Sequence, residues 1–256
     1  MRPKKAYGQH FLTDRNVLGV IGRLAGLAPE DVVLEVGPGL GVLTEYLAAR
    51  VRHVHAVEID RTLEGSLQPV TEKYPNVALT WGDALELDLR TLDPPPAKLV
   101  ANLPYNIATP LIVETLVQET PLVSYCVMVQ REVADRLFAV PGSKAYGAVS
   151  VALALTAQRT GFHPVSRHVF RPPPRVESAL VAFDRVVPPP RLLEIRRLVD
   201  AAFSHRRKTL PNSVEHHGLH PRERVGEALA TLGLPPTVRA EALTPAQFVE
   251  LERALA

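Results

Sequence analysis

The chain contains almost no cysteine, since Cys126 is the only one in 256 residues. One thiol forms no internal disulfide, so the sequence favours a reducing compartment and we expect a cytoplasmic protein. The longest uncharged apolar run, at residues 148–157, is well short of the roughly 20 residues that cross a bilayer. The basic amino terminus is not followed by an apolar stretch. We therefore expect neither a secretory signal nor a membrane partner.

The chain also has little excess charge of either sign. Its 29 Lys and Arg residues against 27 Asp and Glu residues give a formal net charge of +2. That balance excludes attraction of nucleic acid over the whole surface, so any such binding must use local basic patches. The strongest is Arg206-Arg207-Lys208, which follows a predicted amphipathic helix. The weaker candidates are Arg2, Lys4, Lys5, Arg167, His168, Arg171, Arg175, Arg196 and Arg197.

Strand and helix patterns alternate along the first half of the chain. After a predicted helix at 15–27, strands are expected at 32–36, 53–59, 77–80, 99–102 and 125–130, and later at 149–159 and 178–185. Such alternation predicts an α/β fold with a Rossmann-like sheet that is mostly parallel and has one antiparallel strand. Three prolines at 188–190 indicate a stiff linker. We expect a sheet domain at 1–186 and a small all-α domain at 187–256.

A glycine-rich turn follows the first buried strand, in the order Gly37-Pro38-Gly39-Leu40-Gly41. Glycine is required where the backbone takes positive φ or where a ligand lies against the main chain. The spacing differs from the dinucleotide pattern G-x-G-x-x-G, and Glu35 precedes it. A pyrophosphate disfavours a nearby carboxylate, whereas a cationic amino-acid ligand tolerates one. The turn therefore favours S-adenosylmethionine over NAD.

Acidic residues follow the next two predicted strands. Glu58 lies about 20 residues beyond the turn, as expected of an acid that accepts bonds from ribose hydroxyls. Asp83 follows the third strand and is suited to an adenine amino group. Both acids could instead cap helices. Their order, with Asn102 after the fourth strand, predicts a methyltransferase.

The fourth strand runs into Asn102-Leu103-Pro104-Tyr105. The Asn102 side-chain oxygen and the Leu103 carbonyl can accept the two N–H bonds of an exocyclic amine. Pro104 would shape the turn, and Tyr105 would stack on the base. Since the histidines at 216, 217 and 220 lack an acid or thiol to complete a ligand set, we expect no metal site.

The chain resembles the ribosomal RNA adenine N6,N6-dimethyltransferases nearly end to end. The matching blocks are residues 7–12, 35–41, 57–60, 82–84, 102–106, 130–134, 171–179 and 203–212. The resemblance implies a class I methyltransferase fold and a cofactor pocket lined by His10, Leu12, Gly37, Gly39, Glu58, Asp83 and Asn102. It also implies that Phe170 closes the second face of the target base. The family usually has Asn where this chain has His10.

The same resemblance implies dimethylation of adenine N6, on two adjacent adenines of 16S small-subunit ribosomal RNA within an immature particle. We expect a monomer. Three alternatives remain open at this point. The chain could be a large-subunit adenine methyltransferase of the antibiotic-resistance type, or a ribosome assembly factor whose binding matters more than catalysis. It could also act on DNA adenine or protein glutamine, although Leu103 in place of proline disfavours that.

Overall fold

The computed structural model describes residues 10–256, which fall into two compact units. The first comprises the chain up to Ala134 together with Gln158–Arg185, and the second comprises Asp135–Ala157 and Val186–Ala256. The division at 185/186 lies one residue before the boundary predicted at 186/187. Residues 135–157, predicted to belong to the sheet domain, are grouped with the carboxyl-terminal unit. Along residues 10–256, no helix is both long and apolar enough to cross a membrane.

The first unit is built on a seven-stranded sheet in the order β4-β3-β2-β5-β6-β9-β7. Strands β2 to β6 pair in parallel, and β9 runs antiparallel to β6. The predicted Rossmann-like fold is therefore confirmed. Its strands are β2 (Val32–Val36), β3 (His53–Glu58), β4 (Val77–Trp81), β5 (Lys98–Asn102), β6 (Ser124–Gln130), β7 (Ala157–Val165) and β9 (Ser178–Arg185). Its helices are α1 (Arg15–Leu24), α2 (Val42–Ala48), α3 (Glu64–Lys73) and α4 (Ala108–Val117).

The central strands form because their side chains are apolar on both faces. All five residues of β2 are buried, as are the middle five of β6. Continuous apolar runs of this kind are typical of parallel strands covered by helices on both sides. Asp14 caps the amino end of helix α1, where its carboxylate accepts the N–H of Asn16 at 2.8 Å. The helix buries Leu18 and Ile21 in the core.

The parallel register brings the strand ends to one edge of the sheet. Val36 pairs with Val57, and Glu58 pairs with Trp81. Asn102 ends β5 on the other side of β2. Ligands of open α/β sheets bind at this edge, where the strand order reverses.

A separate two-stranded ribbon joins distant parts of the first unit. Strand β1 (Phe11–Leu12) pairs antiparallel with β8 (Phe170–Arg171), so that Leu12 lies opposite Phe170. The Thr13 N–H extends the ribbon by donating to the Val169 carbonyl at 2.9 Å. The ribbon therefore fixes residues 10–13 on the sheet unit.

The second unit is helical, as predicted. Its helices are α6 (Ala148–Thr156), α7 (Leu192–Phe203), α8 (Leu210–His216), α9 (Arg222–Thr231) and α10 (Pro245–Leu255), and α5 (Arg131–Leu137) spans the boundary between the units. Helix α10 begins with a capping box. The Thr244 hydroxyl accepts the Gln247 N–H, and the Gln247 side chain accepts the Thr244 N–H.

The strand predicted at 149–159 is wrong, because residues 148–156 form helix α6 and β7 begins only at Ala157. The segment is apolar almost throughout, so it has no alternation by which a buried strand and a buried helix can be distinguished. Helix α6 buries Val151 in a core that it shares with Leu198 of α7. Packing with residues far along the chain therefore decides its conformation.

The buried hydroxyl of Tyr146 gives a test of the second unit. It donates to the Leu243 carbonyl at 2.9 Å, and Tyr146 is fully buried. Tyr146→Phe leaves that carbonyl unpaired, which should lower the free energy of unfolding by about 1–3 kcal/mol in a urea titration. Tyr74→Phe is the control, since Tyr74 is half-buried. Equal stabilities for the two variants would contradict this account.

Candidate active site

The glycine turn after β2 leaves no room for side chains. Gly37 and Gly39 have φ values of +73° and +60°. A Cβ at Gly37 would lie 3.1 Å from the Pro104 ring, and one at Gly39 would lie 3.1 Å from the Phe11 ring. Both positions require glycine for conformation and for space. The main chain of this turn lines the cleft, and the Pro104 and Phe11 rings lie against it.

Glu58 is held rigidly at the end of β3. Its Oε1 accepts the Asp60 N–H at 2.9 Å, and its Oε2 accepts the Gly39 N–H at 3.2 Å. Burial raises its pKa, and these backbone bonds partly oppose that shift. Each carboxylate oxygen keeps a second lone pair, so Glu58 could accept bonds from two ribose hydroxyls.

Asp83 lies in the turn after β4. Its Oδ1 accepts the Leu85 N–H at 2.9 Å. No helix begins at this turn, so the helix-capping role that the sequence left open is not present, and the bond only closes the turn. It occupies only one oxygen, so the other could accept an adenine amino group.

The turn after β5 presents two hydrogen-bond acceptors. The Asn102 side-chain nitrogen donates to the His10 carbonyl at 3.3 Å, and its Oδ1 accepts no bond from residues 10–256. The Leu103 N–H donates to the Met128 carbonyl at 3.1 Å, while the Leu103 carbonyl accepts no bond from the described residues. The Pro104 carbonyl is engaged by Ile107 and Ala108 at the start of α4.

Tyr105 is positioned by contacts that the sequence did not reveal. Its hydroxyl lies 3.1 Å from the Ser178 Oγ, and its ring lies 5.6 Å from the His10 ring between centroids. His10 Nδ1 lies in turn 2.8 Å from the Pro172 carbonyl. Burial raises the pKa of Tyr105, so the hydroxyl stays neutral at physiological pH. Ser178 and Pro172 fall within a block that matched the family, but no local pattern indicated these contacts.

Glu35 is a buried carboxyl on the cleft wall. It is 1% exposed, and its Oε2 has no hydrogen-bond partner within residues 10–256. Burial raises its pKa to about 8, and the neighbouring Glu58 adds to the shift. The nearby Thr44 hydroxyl partly offsets this rise in the pKa of Glu35, although it forms no hydrogen bond with any of residues 10–256. Glu35 precedes the glycine turn in the sequence but is not among the predicted site residues.

These groups line one cleft of about 240 Å³ in the first unit. The predicted site residues that it brings together are His10, Leu12, Gly37, Gly39, Glu58, Asp83, Asn102, Leu103, Pro104 and Tyr105. Phe170 is not among the lining residues, because it is 1% exposed and packs in the core with Leu12 and Leu180. The stacking role expected for Phe170 has no support in this conformation.

The predicted RNA-binding residues Arg206, Arg207 and Lys208 lie on the second unit. Arg206 donates to the Lys144 and Tyr146 carbonyls at 3.3 Å, while Arg207 and Lys208 are exposed. The basic residues 2, 4 and 5 lie outside the described residues, as do residues 7–9 of the first matching block. Across residues 10–256, no three His, Cys, Asp or Glu side chains are grouped to hold a metal ion.

The cleft fits S-adenosylmethionine in its chemistry. The unpaired Glu35 oxygen suits an ammonium group, Glu58 suits a ribose diol, and the bare glycine turn admits a ligand against the main chain. An acceptor pair for an amine lies at the same edge of the sheet. The fold and the cleft are those of a class I methyltransferase.

Comparison with known proteins places the chain in one family of class I methyltransferases. The model of the family described as "Ribosomal RNA adenine dimethylase" matches residues 1–256. The "Ribosomal RNA small subunit methyltransferase A" of Rubrobacter xylanophilus is 48% identical over 98% of this chain and 95% of its own length. The protein of the same name from Acidothermus cellulolyticus is 42% identical over 99% of this chain and 89% of its own.

Two solved structures agree over nearly the whole chain. A dimethyladenosine transferase from Plasmodium falciparum has a TM-score of 0.77 and 27% identity, covering 94% of this chain and 96% of its own. The 23S rRNA methyltransferase ErmE has a TM-score of 0.68 and 29% identity, covering 96% and 99%. The chain belongs to the ribosomal RNA adenine dimethylase family. It is thus an S-adenosylmethionine-dependent ribosomal RNA adenine dimethyltransferase, and the resemblance inferred from the sequence is confirmed.

Gly39→Ala tests the cofactor half of the cleft. The new Cβ would be strained at φ +60° and would press on the Phe11 ring. A strained conformation of this kind costs about 1–3 kcal/mol, and the turn would shift to relieve it. Because the ligand must reverse that shift, S-adenosylmethionine affinity should fall about 5- to 150-fold by calorimetry. Gly65→Ala is the matched control, because a Cβ there meets nothing within 4 Å. Unchanged affinity in Gly39→Ala would count against the assignment.

The raised pKa of Glu35 predicts that the stability of the fold depends on pH. Its folded pKa of about 8 lies above the ordinary 4.5, so between these values the unfolded chain has released a proton that the folded protein keeps. The carboxyl therefore destabilises the fold increasingly as pH rises from about 5 to about 8. Glu35→Gln should be the more stable protein, by a margin that grows across that window in denaturant titrations. A margin independent of pH would refute the assigned pKa.

Proposed function

We propose that this enzyme dimethylates N6 of two adjacent adenines in 16S small-subunit ribosomal RNA, within an immature particle in the cytoplasm, and that it acts as a monomer. Support for the small-subunit target comes from relatives named "Ribosomal RNA small subunit methyltransferase A", one of which is 48% identical over 98% of this chain. The observation that carries the chemistry is the pair of free acceptors, Asn102 Oδ1 and the Leu103 carbonyl, at the end of β5.

These two acceptors address the weakness of adenine N6 as a nucleophile. Its lone pair is delocalised into the ring, so the nitrogen is planar at rest. Asn102 Oδ1 and the Leu103 carbonyl would accept its two N–H bonds and draw it toward a tetrahedral shape. The lone pair would then point at the methyl group that S-adenosylmethionine supplies. Rate enhancement would come from alignment and from dipoles fixed in advance.

His10 would position the amide through its backbone. Its carbonyl accepts the Asn102 amide nitrogen, which turns Oδ1 away from His10 and toward the substrate. The target adenine must leave its stack to reach this turn. Tyr105, held through Ser178, would stack on the flipped base and contribute about 1–3 kcal/mol.

Release of the N6 proton and transfer of the second methyl group require no additional catalytic residue. Methyl transfer makes N6 cationic and acidic, so it loses a proton without a strong general base. The monomethylated amine retains one N–H and must place its methyl group where a hydrogen bond was.

The helical unit, residues 187–256 in the sequence-based division, would add affinity for RNA. Arg207 and Lys208 are exposed and are proposed to contact phosphates. Arg206 is paired with Glu241 at 3.7 Å and with two carbonyls, so we propose that it mainly holds this patch in place.

A large-subunit target is the second candidate. The observation that favours it is the similarity to ErmE, whose TM-score is 0.68 over nearly the full length of both chains. The protein should therefore be offered labelled S-adenosylmethionine with undermethylated small-subunit particles, large-subunit particles and naked ribosomal RNA. Label confined to the small-subunit particles supports the proposal, and label on the large-subunit particles favours the alternative.

Asn102 variants test the chemistry in the same assay, with nucleosides quantified by mass spectrometry. Asn102→Ala removes one acceptor and should lower kcat at least about a hundredfold, with monomethyladenosine accumulating in place of the dimethylated product. Asn102→Asp keeps an oxygen acceptor and should retain more activity. An Asn102→Ala enzyme with unchanged kcat and product would remove the proposed role.

A further inference from the structure

One cationic segment of the first unit has no role in the chemistry described above. We name residues 166–177 the basic loop. It contains three arginines, Arg167, Arg171 and Arg175, and one acid, Glu177. The side chains of all three arginines are exposed. Its formal charge is therefore +2 on a chain whose whole net charge is only +2.

Glu177 does not neutralise the outer part of the loop. Its Oε2 accepts the Arg167 N–H at 2.8 Å, and its Oε1 lies 4.0 Å from the Arg167 Nε. Glu177 therefore closes the loop on Arg167. Arg171 and Arg175 form no ion pair with any residue of the described chain. Two unpaired guanidinium groups on a short loop are available to a ligand of opposite charge.

The loop is fastened to the wall of the active-site cleft. Arg171 pairs with Phe11 in the ribbon, and the Pro172 carbonyl lies 2.8 Å from His10 Nδ1. Phe11 and His10 both line the cleft. At its carboxyl end the loop leads directly into Ser178, whose Oγ contacts the Tyr105 hydroxyl at 3.1 Å. The middle and the carboxyl end of the loop are therefore anchored to residues that surround the base site.

The loop is also stiff between its two free arginines. Pro172, Pro173 and Pro174 separate Arg171 from Arg175. Proline fixes φ, so the backbone loses little conformational entropy when a ligand orders the side chains. A preorganised pair of guanidinium groups suits the bidentate geometry of phosphate oxygens.

We propose that the basic loop binds the phosphates that flank the target adenine in single-stranded RNA. The inference rests on the proposed function, because it takes the base to enter the cleft beside Tyr105. A nucleotide flipped into that cleft leaves its own phosphates at the rim, where the loop lies. This surface would hold the strand while the two methyl groups are transferred. RNA is favoured over an acidic protein because the middle and the carboxyl end of the loop adjoin the base site.

The test is a double variant, Arg171→Ala with Arg175→Ala. Binding to a short fluorescein-labelled RNA hairpin with adjacent loop adenines is measured by anisotropy from about 50 to about 300 mM KCl. Loss of two single-strand phosphate contacts should reduce the slope of log K against log salt by about 1.4, and Kd should rise about tenfold near physiological salt. S-adenosylmethionine affinity should match the wild type, which shows that the cleft is intact.

The matched control is Arg52→Ala with Lys73→Ala. This double variant also removes two exposed cations, but both precede the amino ends of strands, at the opposite edge of the sheet from the cleft. Its slope of log K against log salt should differ from the wild-type slope by less than the slope of the loop variant does. An equal loss in both double variants would mean that the effect is general charge, and would overturn the proposal.

Three further outcomes would overturn the loop assignment. They are an unchanged salt slope in the loop variant, a wild type that does not bind the hairpin, and a loop variant that loses only particle methylation while binding the hairpin normally. The last would indicate a protein contact. The proposed function fails separately, if the wild type transfers no methyl groups to small-subunit particles.

Discussion

Parallel pairing of β2, β3, β4 and β5 is the constraint on which the site depends. Backbone hydrogen bonds set the register, and the register fixes where each strand ends. The glycine turn, Glu58, Asp83 and Asn102 are far apart in sequence, and each follows or ends a strand at the same edge. A slip of one residue in any strand would exchange the side chains that pack on the two faces of the sheet and would move the end of the strand, so close packing of the buried strands protects the geometry of the cleft.

The residues expected to bind the cofactor contact the residues expected to bind the target base. Gly37 lies against the ring of Pro104, and Gly39 lies against the ring of Phe11. Asn102 in turn donates to the carbonyl of His10. The three segments around residues 10, 38 and 103 therefore form one packed unit. A change in any of them is expected to affect both cofactor affinity and amide orientation.

The sheet could be predicted from the sequence because buried parallel strands are short, apolar and separated by clear breaks. The cleft could be predicted as far as its acids and glycines, which follow those strands. Contacts between distant residues could not, such as His10 with Asn102 and Tyr105 with Ser178. For the same reason the sequence does not show that residues 148–156 are helical, since only packing against α7 distinguishes helix from strand there. Nor does it show that Phe170 is buried, since that burial depends on the ribbon with Leu12.

We expect a sulfonium cofactor and a flipped adenine to meet at the end of β5. A crystal structure with bound S-adenosylhomocysteine would show whether the cofactor lies there. We expect the ribose on Glu58, the purine amine on Asp83, the amino group beside Glu35 and the sulfur facing Asn102. Density for the ligand outside the cleft, or with the sulfur turned away from Asn102, would rule out this arrangement.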